Sequence, residues 1–248
     1  MDLKGKTAIV TGGGRDIGRA CVIALAEAGA NVAVNYFKSS TGADSAVKEI
    51  EANNGKAFAL QGDMTKQSDV DALIDKTSAE FGNIDVVVTV TGGIVARKTI
   101  AEMSQDHWQT VFDLNATSAF LTIKAALPHM KNGGSIVNLA SQAGRDGGGP
   151  GAIAYAMSKG AIMTMTRGMA KEFGPDIRVN AINPGMIDTD FHNIFTKPEV
   201  RKHVAGITPL KREGTSEDVA NLAVYLASDK SAFITGACID INGGMLFS

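Results

Sequence analysis

Short β-branched apolar runs alternate along this chain with longer stretches of helical periodicity. Thr7–Val10 reads as a buried strand feeding a glycine turn, Thr11-Gly12-Gly13-Gly14. Ile17–Ala28 has helical character and closes on Gly29, a C-terminal stop. Asn31–Tyr36 is a second strand, Ala43–Ala52 a helix stopped by Asn53-Asn54-Gly55, and Lys56–Leu60 a third strand. Ser68-Asp69 gives an N-cap signal for a helix running to Phe81-Gly82, and Ile84–Val88 is a β-branched run suited to burial on both faces. The pattern then predicts one long helix over Ser104–Met130 and a strand over Ser135–Ala140. A helix over Ile153–Phe173 follows, ended by Gly174-Pro175, then a strand over Ile177–Ile182. A helix over Ser216–Ala227 and a strand over Ala237–Ile241 complete the chain.

Strands separated by helices of ten or more residues imply right-handed crossovers and a parallel sheet covered on both faces. The fold class is therefore α/β, a Rossmann-type doubly wound sheet. With no linker, repeat or composition shift, residues 1–248 read as a single domain. Ligands of such sheets sit beyond the carboxyl ends of the strands. Here those ends are Thr11–Gly14, Asn35–Lys38, Gly62-Asp63, Val90–Gly93, Ser141 and Asn183–Gly185.

Composition narrows the function. The net charge of −2 supplies no basic field for a phosphate backbone, which argues against nucleic acid as a partner. Cys21 and Cys238 are the two cysteines, neither at metal-ligand spacing, so no metal is expected and a reducing compartment is. No apolar stretch approaches the roughly 18 residues of a membrane span. The first ten residues, with Asp2, Lys4 and Lys6 and only a short apolar run, are not expected to form a signal peptide. A cytoplasmic protein with no membrane partner is expected.

Two places carry chemistry. The first is Thr11-Gly12-x-x-x-x-x-Gly18, at a strand-to-helix junction where backbone amides and the helix dipole suit a pyrophosphate. A purely structural turn is the alternative. The second is Tyr155 and Lys159, four residues apart and so on one helix face. A nearby cation favours the phenolate, so Lys159 is expected to hold the phenol below its ordinary pKa of about 10. Tyr and Lys also meet at this spacing on solvated helices. Asn115 lies on an apolar stripe with Trp108, Val111, Phe112, Ala119 and Ile123, where an amide needs partners.

Taken together, these residues resemble the short-chain dehydrogenase/reductase family over essentially the whole length. The likeness is close to the 3-oxoacyl-acyl-carrier-protein reductase type and to sugar and polyol dehydrogenases. The resemblance implies about seven strands in the order 3-2-1-4-5-6-7 and assigns Asn115, Ser141, Tyr155 and Lys159 as the catalytic set. Ser141 would donate to the substrate carbonyl and Tyr155 would exchange its proton. Lys159 would tune the phenol, and Asn115 would order water between Lys159 and solvent. Asn115 bonded only to neighbouring backbone is the alternative. The Ser141–Tyr155 interval is one residue longer than usual, matching an extra glycine in Gly147–Gly149.

The family's middle glycine is Asp16 here, placed to cap a helix starting at Ile17 or, turned inward, to repel phosphate. Its Asn-Asn-Ala-Gly is Thr89-Val90-Thr91-Gly92, so contacts made by the asparagine amides do not carry over. The resemblance places Gly12, Arg15, Asp16, Ile17 and Gly18 at the pyrophosphate, with Tyr36 and Lys38 beyond the second strand. It places Asp63 and Met64 at the adenine, and Thr91, Gly92, Tyr155 and Lys159 among the further cofactor contacts. Pro184, Gly185, Ile187 and Thr189 fall near the nicotinamide. Because Asn35–Lys38 contains no acid and Arg15 and Lys38 are cations, NADP(H) is favoured, with NAD(H) the alternative.

Residues 186–207 suit a substrate lid, bordered by Arg97, Arg145, Met186 and His192; Arg97, Lys98 and Arg145 would suit an anionic substrate. Small residues at Ala152, Ala156, Gly160, Thr164 and Gly168 form one column. The resemblance pairs this helix across subunits, giving a homotetramer, with a dimer as the fallback. The expected activity is NAD(P)(H)-dependent interconversion of a ketone and a secondary alcohol, either a 3-oxoacyl thioester or a sugar- or uronate-type carbonyl. A non-catalytic dinucleotide-binding regulator is the competing reading.

Overall fold

In the computed structural model, which describes residues 1–247, seven parallel strands form one sheet. They are β1 (Thr7–Thr11), β2 (Asn31–Tyr36), β3 (Ala57–Gln61), β4 (Val86–Thr89), β5 (Gly134–Leu139), β6 (Ile177–Pro184) and β7 (Cys238–Ile241). Their order is 3-2-1-4-5-6-7, as expected.

Period-two alternation sends successive strand residues to opposite faces. Ala8, Val10, Val32, Val34, Val86, Val88 and Val137 join one core. Covering it are α1 (Asp16–Glu27), α2 (Ser40–Ala52) and α10 (Ser216–Ala227), through Val22, Leu25, Ile50, Ala223 and Leu226. The intervening Ile9, Ala33, Val87, Ile136 and Val179 face the opposite core. There they meet α3 (Gln67–Phe81), α5 (Ser118–Ala126) and α7 (Ile153–Phe173). The reversal of strand order between β1 and β4 places the crevice over the carboxyl ends of β1, β4 and β5.

The long helix expected over Ser104–Met130 is broken. It begins as α4 (Gln105–Phe112), widens into a π-turn over Asp113–Thr117, continues as α5 and ends in a 3₁₀ turn at Leu127–His129. The Asn115 side chain donates to the Val111 carbonyl at 2.8 Å inside the widened turn. Pro128, lacking an N–H, accompanies the tightening at the far end. After β5, a short α6 (Ala143–Asp146) fills the glycine-rich loop, with Gly147 in the left-handed conformation at its end. The longer loop is absorbed there, before α7 begins.

The segment expected to act as a lid, residues 186–207, is also more regular than its weak periodicity predicts. It contains α8 (Asp190–Phe195) and α9 (Pro198–Ile207). The column of small residues on α7 divides in function. A side chain at Gly144 would lie 2.8 Å from the Gly160 amide, so α6 packs closely there, whereas Thr164 and Gly168 are exposed. Among the described residues no helix is long and apolar enough to cross a membrane.

Candidate active site

The glycine turn is held by a residue of β2. Asn35, buried in a strand of otherwise apolar side chains, accepts from the Gly12 amide through Oδ1 at 3.2 Å. Its Nδ2 donates to the Gly62 carbonyl at 3.0 Å. One amide thus ties together the ends of β1, β2 and β3. Gly18 is required sterically, since a Cβ there would lie 2.1 Å from the Gly12 oxygen. A closely packed turn at a helix start fits a pyrophosphate approached by backbone amides.

Asp16 does not cap the helix it begins. The N-cap is Arg15 and there is no side-chain cap bond; α1 starts at Asp16 itself, with φ of 48°. Its Oδ1 instead accepts from the amide of Asp190, the first residue of α8, at 3.2 Å. The short polar side chain of Asp makes the left-handed conformation tolerable where most residues would strain. Arg15 is exposed, between Asp16 at 3.8 Å and Asp190 at 3.7 Å. Ile17, partly buried, packs against the first core.

At the sheet's centre, hydroxyls tie the strand ends together. Thr11 Oγ1 accepts from the amides of Val90 and Thr91 at 3.2 and 3.3 Å. Thr89 donates to Asn138 Oδ1 at 2.8 Å, and Asn138 donates to Thr166 at 3.0 Å, linking β4, β5 and α7.

The four expected catalytic residues gather beyond these strand ends. Lys159 is buried and donates to the Leu139 carbonyl at 2.7 Å. Its ammonium lies 5.8 Å from the centre of the Tyr155 ring. Ser141 accepts from the Ala143 amide at 3.1 Å, and its side chain acts on the Tyr155 phenol in the direction that lowers its pKa. Asn115 is buried, donating to the Gly93 and Val111 carbonyls and accepting from the Gly93 amide. Its polar atoms therefore meet backbone groups of Gly93 and Val111. A Cβ on Gly92 would lie 2.6 Å from Asn115 Oδ1 and 3.1 Å from Lys159 Nζ. Gly92 is thus the point where the amide and the ammonium converge.

Burial acts oppositely on the two titrating members. It lowers the Lys159 ammonium to about 8. It raises the Tyr155 phenol, partly offset by the Ser141 hydrogen bond. Burial thus acts on the phenol against the lowering expected from Lys159. Part of the cover over the ring is Phe191 of α8, which packs with its centroid 5.7 Å from that of Tyr155. Phe195 and the edge of His192 complete an aromatic cluster on Phe191. Burial and the Arg201 charge lower His192 to about 4, leaving it neutral at physiological pH.

The arginines at the mouth serve the lid and the sheet edge. Arg97 donates to the carbonyls of Phe195 and Pro150 at 3.0 and 2.9 Å, joining α8 to the loop before α7. Arg145 is ion-paired with Asp240 of β7. Arg201 of α9 holds Glu213 at 2.6 Å and also pairs with Asp188. Of the side chains expected to attract an anionic substrate, Arg97 and Arg145 are thus engaged in structural contacts, whereas Lys98 is exposed.

The remaining cofactor candidates are dispersed along the crevice. Tyr36 packs beside Gly14, while Lys38 is exposed with its ammonium 5.7 Å from the centre of the Phe37 ring. Asp63 Oδ1 accepts from the Thr65 amide and hydroxyl at 3.0 and 2.7 Å. Met64 and Ile187 are core residues, so only their backbone is available to a ligand. Pro184 ends β6, and Thr189 is buried with its hydroxyl on the Ile187 carbonyl at 3.1 Å. Gly185 packs against Asn242 and Gln142. Among the described residues, Gln142 Oε1 and Asn183 Oδ1 are buried acceptors without a partner. Both lie at the strand ends nearest Gly185, which fits a ligand bearing N–H donors there.

A family profile described as enoyl-(acyl carrier protein) reductase matches residues 12–246. Glucose 1-dehydrogenase 2 of Bacillus subtilis is 39% identical over 98% of this chain and 96% of its own. The 3-oxoacyl-[acyl-carrier-protein] reductase FabG of Staphylococcus epidermidis is 37% identical over 97% of this chain and 98% of its own. A solved short-chain dehydrogenase/reductase from Serratia marcescens superposes with a TM-score of 0.93 at 32% identity, covering 98% of this chain and 99% of that one.

The chain belongs to the short-chain dehydrogenase/reductase family.

As a short-chain dehydrogenase/reductase it is an oxidoreductase enzyme that works with a nicotinamide cofactor. A further solved member, a blue fluorescent protein from a metagenomic library in complex with NADPH, matches all of both chains with a TM-score of 0.93 and 33% identity. The structure brings Asn115, Ser141, Tyr155 and Lys159 together beyond the strand ends; sequence reasoning missed Asn35, Phe191's position over Tyr155, and the Arg97 and Arg201 contacts. Only Asn35 carried a signal, as an amide in an apolar strand. The arginine contacts depend on how the lid folds back.

Proposed function

We propose that this enzyme uses NADP(H) to reduce a ketone to a secondary alcohol and to run the reverse reaction, with Ser141 and Tyr155 at the carbonyl oxygen. The observation that carries the reading is the meeting of Asn115 and Lys159 at Gly92, with the Lys159 ammonium 5.8 Å from the centre of the Tyr155 ring and Ser141 acting on the phenol. When bound, the dinucleotide supplies a hydride to the carbonyl carbon or accepts one from the alcohol. Ser141 donates to the oxygen on which negative charge grows. Tyr155 gives that oxygen its phenolic proton, leaving a phenolate that regains a proton from solvent; oxidation reverses these transfers. The raised pKa keeps Tyr155 protonated at neutral pH, the state reduction needs. The Lys159 ammonium, fixed by Leu139, stabilises the phenolate as it forms. Asn115 holds the Gly93 backbone at the crevice floor.

The residues fit the dinucleotide in the glycine turn, the floor at Gly92 and the acceptors beside Gly185. NADP(H) over NAD(H) is supported by the absence of an acid at the end of β2 and by exposed Lys38. Commitment of Arg97 and Arg145 favours 3-oxoacyl or neutral sugar carbonyls over uronates. The exposed Met157, Phe120, Thr164 and Gly168 support pairing of α5 and α7 across subunits in a homotetramer. Both cysteines are free thiols, in keeping with a reducing, cytoplasmic setting.

The test follows NADPH and NADH absorbance against 3-oxoacyl thioesters, enoyl thioesters, sugar ketones and uronates. Turnover of a 3-oxo or sugar carbonyl with NADPH supports the reading. Reaction only at a carbon–carbon double bond, or with none of the panel, overturns it.

A further inference from the structure

Asp16 stands where a dinucleotide turn ordinarily has glycine, and it spans two parts of the molecule that are distant in sequence. Its backbone forms the phosphate turn at φ 48°, and its Oδ1 accepts from the Asp190 amide, 174 residues away. That amide opens the lid helix and follows Thr189, one of the residues assigned to the cofactor. Two long, exposed contacts of Arg15, to Asp16 and Asp190, balance the local negative charge without fixing the geometry.

We propose that Asp16 is a positioning residue that seats the lid on the phosphate turn, so that the walls around the two halves of the dinucleotide are set by one carboxylate. This deepens the dinucleotide-binding reading and rests on it for the identity of the turn. Asp190 and Asp188 face the carboxylate from the lid, and Arg15 faces it from its own turn. Charge there is not what the lid requires; an oxygen acceptor is. An acceptor of the same shape without charge should therefore keep the lid seated while relieving repulsion toward a pyrophosphate.

Hydrogen exchange of the peptide spanning residues 188–196, measured on the full chain without dinucleotide, separates the possibilities. Asp16→Gly removes the acceptor while relieving the positive φ, so the global fold is retained and this peptide alone should exchange about tenfold faster. Asp16→Asn retains the acceptor and should exchange within about twofold of the wild type. In fluorescence titrations with NADPH, Asp16→Asn should bind about tenfold more tightly than the wild type. Wild-type exchange in Asp16→Gly, or equal acceleration in both variants, overturns the positioning role. Failure of the wild type to bind NADPH or NADH overturns the reading of the turn, while the exchange result still decides the latch.

Discussion

The ammonium of Lys159 is anchored on the carbonyl oxygen of Leu139 at 2.7 Å, and it reaches the reacting phenol from that fixed point. It is buried, and its pKa falls to about 8, while the same dry surroundings raise Tyr155. In the enzyme without ligand the active protonation state for reduction is therefore a neutral phenol beside an ammonium. The kcat/KM for carbonyl reduction should be level below pH 8 and decline as Lys159 loses its proton, by about tenfold per pH unit. The measurement is a pH–rate profile at subsaturating substrate. A profile level through pH 10 would remove Lys159 from the protonation scheme.

Tyr155→Phe retains the ring that packs against Phe191 but has no proton to transfer. Turnover should fall by about 10²- to 10⁴-fold with NADPH affinity within about twofold of the wild type. Ser141→Ala removes a donor from the carbonyl oxygen and should lower kcat by roughly 10²-fold. A regulator that senses dinucleotide without turnover would be indifferent to both substitutions, so paired kinetics and binding titrations decide between the readings.

Asn115→Ala strips three hydrogen bonds from a buried π-turn and leaves Gly93 and Val111 groups unpaired. The expected loss is about 2–3 kcal/mol, or roughly 5–10 °C in Tm for a domain of this size. Calorimetry checks it. Activity should fall further than stability explains, because Gly93 adjoins the floor at Gly92.

The strand order, the Tyr155–Lys159 pair and the glycine turn were legible because each depends on local pattern: β-branched runs, i,i+4 spacing, and glycine where backbone approaches backbone. Asp16 was legible as a departure but not in its consequence, since its partner lies on the distant lid. The raised Tyr155 pKa was hidden for the same reason. Cation and phenol adjoin in sequence, whereas Phe191, which packs on the Tyr155 ring, comes from another segment. The break in the Ser104–Met130 helix was hidden because a helical pattern reports which face is buried and is insensitive to one widened turn. Asn115 lay on the predicted buried stripe all the same.

Cofactor choice should respond to single changes at the end of β2. Lys38→Ala removes an exposed cation from the expected 2′-phosphate side and should raise the Kd for NADPH about tenfold, leaving NADH unchanged. Tyr36→Asp should shift preference toward NADH by supplying an acceptor for a ribose hydroxyl. Equal effects of Lys38→Ala on both dinucleotides would show that this lysine does not discriminate between them.

Phe191 is the side chain of the lid that reports directly on the reacting group. Its ring covers Tyr155, and Phe195 and a neutral His192 support it from behind. Phe191→Ala admits water to the phenol, so the burial contribution that raises its pKa weakens and the pKa moves down toward its ordinary value. Alcohol oxidation, which needs the phenolate, should then gain its basic limb at lower pH than in the wild type. Carbonyl reduction should slow by about tenfold, because water also weakens the Ser141 hydrogen bond to the developing oxyanion. Phe191→Leu keeps an apolar cover and should stay near the wild type in both respects. If the oxidation profile of Phe191→Ala superimposes on that of the wild type, the lid ring does not set the phenol's proton affinity, and solvent exclusion at Tyr155 must come from the sheet side alone.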